Sequence, residues 1–170
     1  MNVGLLLLRL AVGLTLAAHG SQKLFGWFSG PGLAATSQFF TMLGFPPGRR
    51  HAFTAGLAEI VGGILLASGF LMPLAAAATI AVMVVAVFTV HISKGFFNQN
   101  GGYEYNLVLS IAALTLAFTG PGSLSLEGFL HYSFSGTLWG IAAFLVGVVS
   151  GTIPLLERKA SERIGTSAAK

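Results

Sequence analysis

Only 8% of this 170-residue chain is charged while 54% is hydrophobic, so each ionisable side chain inside an apolar run needs a reason to be there. A charge in hydrocarbon costs several kcal/mol and persists when it is paired or hydrated. Arg9 and Glu59 are two such residues. A second set, His19, Lys23, His91, Lys94 and Glu104, falls at the ends of apolar stretches. His19 and Lys23 are four residues apart and His91 and Lys94 three apart, spacings that put each pair on one helical face. Between Lys94 and Asn106 the sequence KGFFNQNGGYEYN is dense in glycines, aromatics and amides. Its glycines permit close backbone approach to a ligand, and Asn98, Gln99 and Asn100 supply hydrogen-bond donors and acceptors. Histidine, lysine and carboxylate gathered at one membrane face could hydrogen-bond a small polar headgroup and exchange protons with it. Plainer roles stand beside that one: lysines anchoring at the interface, histidines satisfied at headgroup level, and aromatics forming an interfacial belt.

The elements that position these residues follow from hydropathy. The mean hydropathy is +0.81, and a chain of this size has too little interior to bury several all-apolar helices in water. Apolar runs of about 20 residues, the length that spans roughly 30 Å of hydrocarbon, occur at about 3–20, 53–70, 73–92 and 137–156, with a shorter one at about 103–119. The expected fold is all-α, a polytopic membrane helix bundle. Its core is four helices within residues 1–120. Residues 121–170 add a connecting loop, a fifth C-terminal transmembrane helix and a basic tail. The stretch Ser68 to Pro73 reads as the turn of a tight hairpin, because Gly69 ends a helix easily and Pro73 suits the first turn of the next. LAATSQFFTML, before Pro46 and Pro47, reads as a short interfacial helix. Counted from the first-loop ends of their helices, Arg9 lies about 15 Å deep and Glu59 about 10 Å deep, which predicts an intramembrane salt bridge between them. Gly56 and Gly63, on the face of Glu59, allow a neighbouring backbone to come close.

Orientation follows from lysine and arginine. Lys23, Arg49 and Arg50 in the first loop, Lys94 in the third, and Arg158, Lys159, Arg163 and Lys170 in the tail fall on one side of a five-helix bundle. The positive-inside rule assigns that side to the cytoplasm and the N-terminus to the outside of the cell membrane. An N-terminal signal peptide is disfavoured, since a basic n-region is missing and Arg9 interrupts the apolar stretch. Although the formal charge is +4, the basic residues are few and divided among loops, which excludes nucleic-acid binding. With no cysteine, no GxGxxG fingerprint and no metal-spaced cluster, the sequence expects no metal and no intrinsic cofactor. His19 and His91 as axial haem ligands are disfavoured, because two histidines at helix ends are common by chance.

Taken in order, Arg9-Leu10, the block HGSQKLFG from His19, the block EIVGG from Glu59, and Lys94-Gly95-Phe96-Phe97 with Gly101 to Asn106 resemble the DoxX family over roughly residues 4–120. The family is generally described with four transmembrane helices and is similar to the DoxD subunit of thiosulfate:quinone oxidoreductase. The resemblance therefore implies a membrane subunit of a redox system, quinone-linked; the helix-end residues His19, Lys23, His91, Lys94 and Glu104 separately predict its polar pocket at the cytoplasmic helix ends, beneath the Gly95 to Gly102 loop. Since the chain has no CxxC, no GxGxxG and no metal-spaced cluster to supply electrons, such a subunit needs an electron-donating partner protein; composition makes the lipid bilayer its solvent, and a homo-oligomer is a further partner to expect. The fifth apolar run departs from the four-helix pattern. A non-catalytic scaffold for cytoplasmic redox or stress-defence proteins, or a small-molecule permease, is the alternative; a scaffold would rely on Arg49, Arg50, Arg158 and Lys159 rather than on His19, Glu59, His91 and Glu104.

Overall fold

The computed structural model describes residues 2–168, with side chains through residue 158. The chain is all-helical among those residues. Helix α1 spans Asn2–Phe25, α2 Gly32–Met42, α3 Gly48–Ser68, α4 Met72–Ala86, α5 Glu104–Thr119, α6 Leu126–Phe129 and α7 Thr137–Ala168. Past Ala86, α4 continues as a π-helical turn over Val87–His91 and a 3-10 turn over Ile92–Lys94. Among the described residues four segments are long and apolar enough to cross a membrane: Asn2–Phe25, Gly48–Ser68, Met72–Lys94 and Thr137–Arg158. The fifth apolar helix, α5, is shorter. Of the basic tail, Lys170 lies outside the described residues, as do the side chains of Lys159 and Arg163.

Lipid gives no hydrophobic drive for one helix to join another, so close packing of small residues holds such bundles together. Helices α1 and α3 cross antiparallel at two glycine pairs. A Cβ on Gly13 would stand 2.5 Å from the Gly63 carbonyl oxygen, and one on Gly20 would stand 2.5 Å from that of Gly56. The central layer is built from alanines, with Ala75, Ala76, Ala113, Ala117 and Ala143 at most 2% exposed, interleaved with Leu16, Leu66, Met72 and Leu116. Helix α7 packs parallel to α4, its Gly147 and Gly151 set against Ile80 and Val84.

The α3–α4 hairpin closes where the sequence places it. Gly69 takes the left-handed conformation that ends α3, and Pro73 sits in the first turn of α4. The loop from 120 to 136 folds over that turn, held by a buried acid. Glu127 is fully buried, and its two carboxylate oxygens accept the backbone N–H of Met72 at 3.2 Å and of Phe134 at 3.1 Å. It thus caps the start of α4, where a negative charge is favoured. The first and third loops and the basic end of α7 meet at the opposite end of the bundle, called the basic end below.

Candidate functional site

Arg9 and Glu59 do not pair. The sequence count stopped α1 near Gly20, whereas the helix runs on to Phe25, so Arg9 belongs to the far end of the bundle. There it is 1% exposed and donates to the carbonyl oxygens of Ala67, at 3.0 Å, and Leu124. Ala67 lies in the last turn of α3, where the helix dipole favours a cation. Glu59 is eight residues before Ala67 on the same helix, about 12 Å along the axis at 1.5 Å per residue.

The partner of Glu59 is Lys23, whose Nζ lies 2.5 Å from both carboxylate oxygens; the side chains are 3% and 28% exposed. Side chains on a helix lean toward its N-terminus, so the ammonium of Lys23 reaches back to the level of Gly20, which packs on Gly56 and Ile60 beside Glu59. The ion pair therefore follows from the glycine crossing.

Two histidines are fixed nearby, each through one ring nitrogen. Gln22 donates from Nε2 to the Phe28 carbonyl at 3.2 Å, which leaves its Oε1 to accept from His19 Nδ1 at 3.1 Å. The His19 ring also meets Tyr105 edge-on, with centroids 6.2 Å apart. His91 ends the π-helical turn and its Nδ1 donates to the Gly101 carbonyl at 2.6 Å. In both rings Nδ1 carries the hydrogen, so Nε2 is the uncommitted nitrogen, an acceptor when the ring is neutral.

His19, Lys23 and His91 line a cavity of about 810 Å³, within the range that holds small ligands. Its walls come from α2, α3, α4 and α7, with Lys23 and His19 contributed by α1. Along α4 it reaches from Ala78 to His91, about 20 Å at the α-helical rise. The basic end carries His51, His91, Lys23, His19 and Gln22, and the deep end is a slot of Ala58, Ala78, Ala81 and Val82. Helix α2 packs on α1 and α3, and α7 on α4 and α5, so the cavity occupies the space between α2 and α7 in front of α3.

The other residues singled out from the sequence stand apart. Glu59 is behind Lys23 rather than on the cavity wall. Glu104 accepts the backbone N–H of Asn98 at 3.0 Å and so closes the third loop on itself. In that loop Gly102 donates to Phe97, Tyr103 to Gly95 and Glu104 to Phe96, while the Phe96 and Tyr103 rings meet edge-on with centroids 5.5 Å apart. Lys94 lies along Gly101. The loop spends its backbone groups internally, and none of residues 94 to 106 lines the cavity. Lys94, Asn98 and Glu104 are absent from its lining.

Sequence reasoning missed His51, Thr36, Ser150 and Pro154, all on the cavity wall. The signal for His51 was its place one turn into a helix that starts at Gly48, after Pro46 and Pro47. Its Nε2 lies 3.8 Å from a Glu157 carboxylate oxygen, and Arg50 reaches the other oxygen at 3.8 Å. Arg158 sits over the Phe45 ring, 5.9 Å from its centroid. The basic residues that a scaffold would present are thus partly used to tie α7 to the start of α3.

These features define a multi-pass membrane helix bundle with an amphipathic cavity, apolar at depth and histidine-rich at the basic end. The DoxX family model matches residues 4–92, more than half of the chain, and the protein belongs to the DoxX family. It is also similar to a protein of Bacillus subtilis (strain 168) described as "Putative oxidoreductase CatD", with 28% identity over 129 residues that cover 76% of this chain and 88% of the relative. No solved structure matches the chain significantly.

Proposed function

We propose that this protein is the quinone-binding membrane subunit of a redox system, taking the quinone ring at the basic end of the cavity and its apolar tail in the alanine slot. One observation carries the reading: a cavity of about 810 Å³ in the bundle whose lysine and histidines, Lys23, His19, His51 and His91, gather at the basic end, while its deep end is a slot of alanines. A quinone is a flat ring with two acceptor oxygens on an apolar tail, and it reaches such a site from lipid. The description of the Bacillus relative as an oxidoreductase supports the same class. Reduction takes two electrons and two protons and yields the hydroquinone. We assign the electrons to a donor protein docked at the basic end, which the lysine and arginine distribution puts in the cytoplasm of a cell-membrane protein. Lys23 donates a hydrogen bond to a ring oxygen, and His19 and His91 exchange the protons through Nε2. Glu59 holds Lys23 in place. The same basic surface leaves room for a homo-oligomer.

The test is quinone affinity in nanodiscs for the parent and for His19→Ala and His91→Ala. Both variants should melt near the parent temperature and bind at least tenfold more weakly. Unchanged affinity in both folded variants would remove the histidines from the site and favour a scaffold that docks partners on its basic end.

A further inference from the structure

The hydrogen-bonding capacity of the cavity wall is lopsided. Three threonines on that wall turn their hydroxyls back onto their own helices: Thr36 to the Gly32 carbonyl at 2.7 Å, Thr54 to Arg50 at 2.8 Å and Thr89 to Val85 at 2.7 Å. Their donors are spent. Ser150, on the α7 wall, makes no such bond, and four residues later stands Pro154, inside the helix and also on the wall. Proline has no backbone N–H, so the Ser150 carbonyl lacks its helical donor, and the proline ring pushes that carbonyl away from the helix. In a membrane such a freed carbonyl is satisfied by a neighbour, a water or a ligand. On the same wall, His19 and His91 each donate through Nδ1, which leaves Nε2 uncommitted, an acceptor whenever the ring is neutral. Ser150 O and the two Nε2 atoms are therefore acceptors without committed donors. The opposing donors are the one ammonium N–H of Lys23 that Glu59 leaves free and the Ser150 hydroxyl.

From this imbalance we infer that the cavity is selective for the reduced, hydroxyl-bearing form of its ligand: an amphiphilic hydroquinone binds more tightly than the quinone, with one phenolic O–H donated to the carbonyl that Pro154 leaves free. A hydroquinone brings two donors to Ser150 O and the two Nε2 atoms, whereas a quinone leaves those acceptors unmet and can use only the remaining N–H of Lys23 and the Ser150 hydroxyl. The inference rests on the quinone reading above and adds a direction to it. Tighter binding of the reduced form raises the two-electron potential of the bound couple by about 30 mV for each tenfold of preference, so electrons flow from the donor protein into the bound quinone.

Affinity is to be measured anaerobically in nanodiscs containing the full chain, with a decyl-substituted benzoquinone, its hydroquinone, and the dimethyl ether of that hydroquinone, which has the same ring and tail but no donor. The hydroquinone should bind at least tenfold more tightly than either of the others. Pro154→Ala restores the N–H to the Ser150 carbonyl and places a better helix former in α7, so the variant should fold at least as well. In it the preference for hydroquinone over ether should fall to about a third of the parent ratio or less, while Ser150→Ala, which keeps the freed carbonyl, should retain the ratio. Equal binding of hydroquinone and ether by the parent overturns the inference, as does a preference that survives Pro154→Ala. Quinone binding equal to hydroquinone binding leaves the quinone site standing and sinks the selectivity. Hydroquinone binding without measurable quinone binding upholds the acceptor wall and sinks the redox reading. No binding of any probe overturns both.

Discussion

Removing Lys23 should destabilise the bundle more than removing Glu59, although the two form one ion pair. Lys23→Leu leaves a carboxylate whose side chain is 3% exposed beside Gly20 and Gly56, too deep to reach water. Breaking a buried pair from one side costs about 3–5 kcal/mol, and the 28% exposure of Lys23 places the expected loss at the lower edge, about 3 kcal/mol. Glu59→Leu instead leaves a long cationic side chain near the basic end, able to snorkel to the interface, so the expected loss is about 1–2 kcal/mol. The double variant removes both charges and should cost about 1 kcal/mol, a coupling of about 3–4 kcal/mol between the sites. Equilibrium unfolding in mixed detergent micelles reads all four corners of the cycle. A parallel cycle on Arg9 and Glu59, which take different partners at levels about 12 Å apart along α3, should be additive within about 0.5 kcal/mol. Additivity for Lys23 and Glu59, or coupling for Arg9 and Glu59, would refute the assignment of partners.

Further outcomes follow from the same geometry. Arg9→Leu strands the Ala67 and Leu124 carbonyls and should lower stability by about 2–3 kcal/mol, with Arg9→Lys recovering part of the loss in thermal melts. Gly13→Val should disrupt the α1–α3 crossing and lower the melting temperature or the folded yield, whereas Gly4→Ala, with nothing within 4 Å of an added Cβ, should leave melting unchanged. Glu127→Gln keeps one acceptor for the two backbone donors and should cost about 1–2 kcal/mol, and hydrogen exchange should show the Met72 and Phe134 amides losing protection together.

Where the chemistry was local, the sequence was a good guide. The hairpin turn at Gly69 and Pro73, the short helix before the Pro46-Pro47 pair and the apolar runs each rest on a few neighbouring residues, and the helices occur there. The Arg9–Glu59 pairing failed because it depended on a helix end. Five extra residues of α1, from Ser21 to Phe25, carry Lys23 into the bundle and move Arg9 out of reach. Gly20 and Gly56 set the level at which the helices meet, and that level was not written in either helix alone. The loop from Lys94 to Asn106 misled for another reason. Its amides and glycines have ligand-binding chemistry, but Glu104 and the loop's own carbonyls take its backbone N–H groups and fold it on itself, away from the cavity wall. His51, Ser150 and Pro154 come from helices far apart in sequence, and only the packing of α2, α3, α4 and α7 brings them to one wall.

The central claim, that a quinone occupies the cavity between α2 and α7, is tested most directly by photolabelling. A ring-azido quinone with a decyl tail, cross-linked in nanodiscs and mapped by mass spectrometry, should attach to cavity-wall positions such as Phe40, His51, Val85 or Ser150, and excess unlabelled quinone should suppress the labelling. Attachment confined to the Gly95–Gly102 loop or to lipid-facing positions such as Leu7 and Leu138, or labelling that excess quinone does not diminish, would contradict the claim.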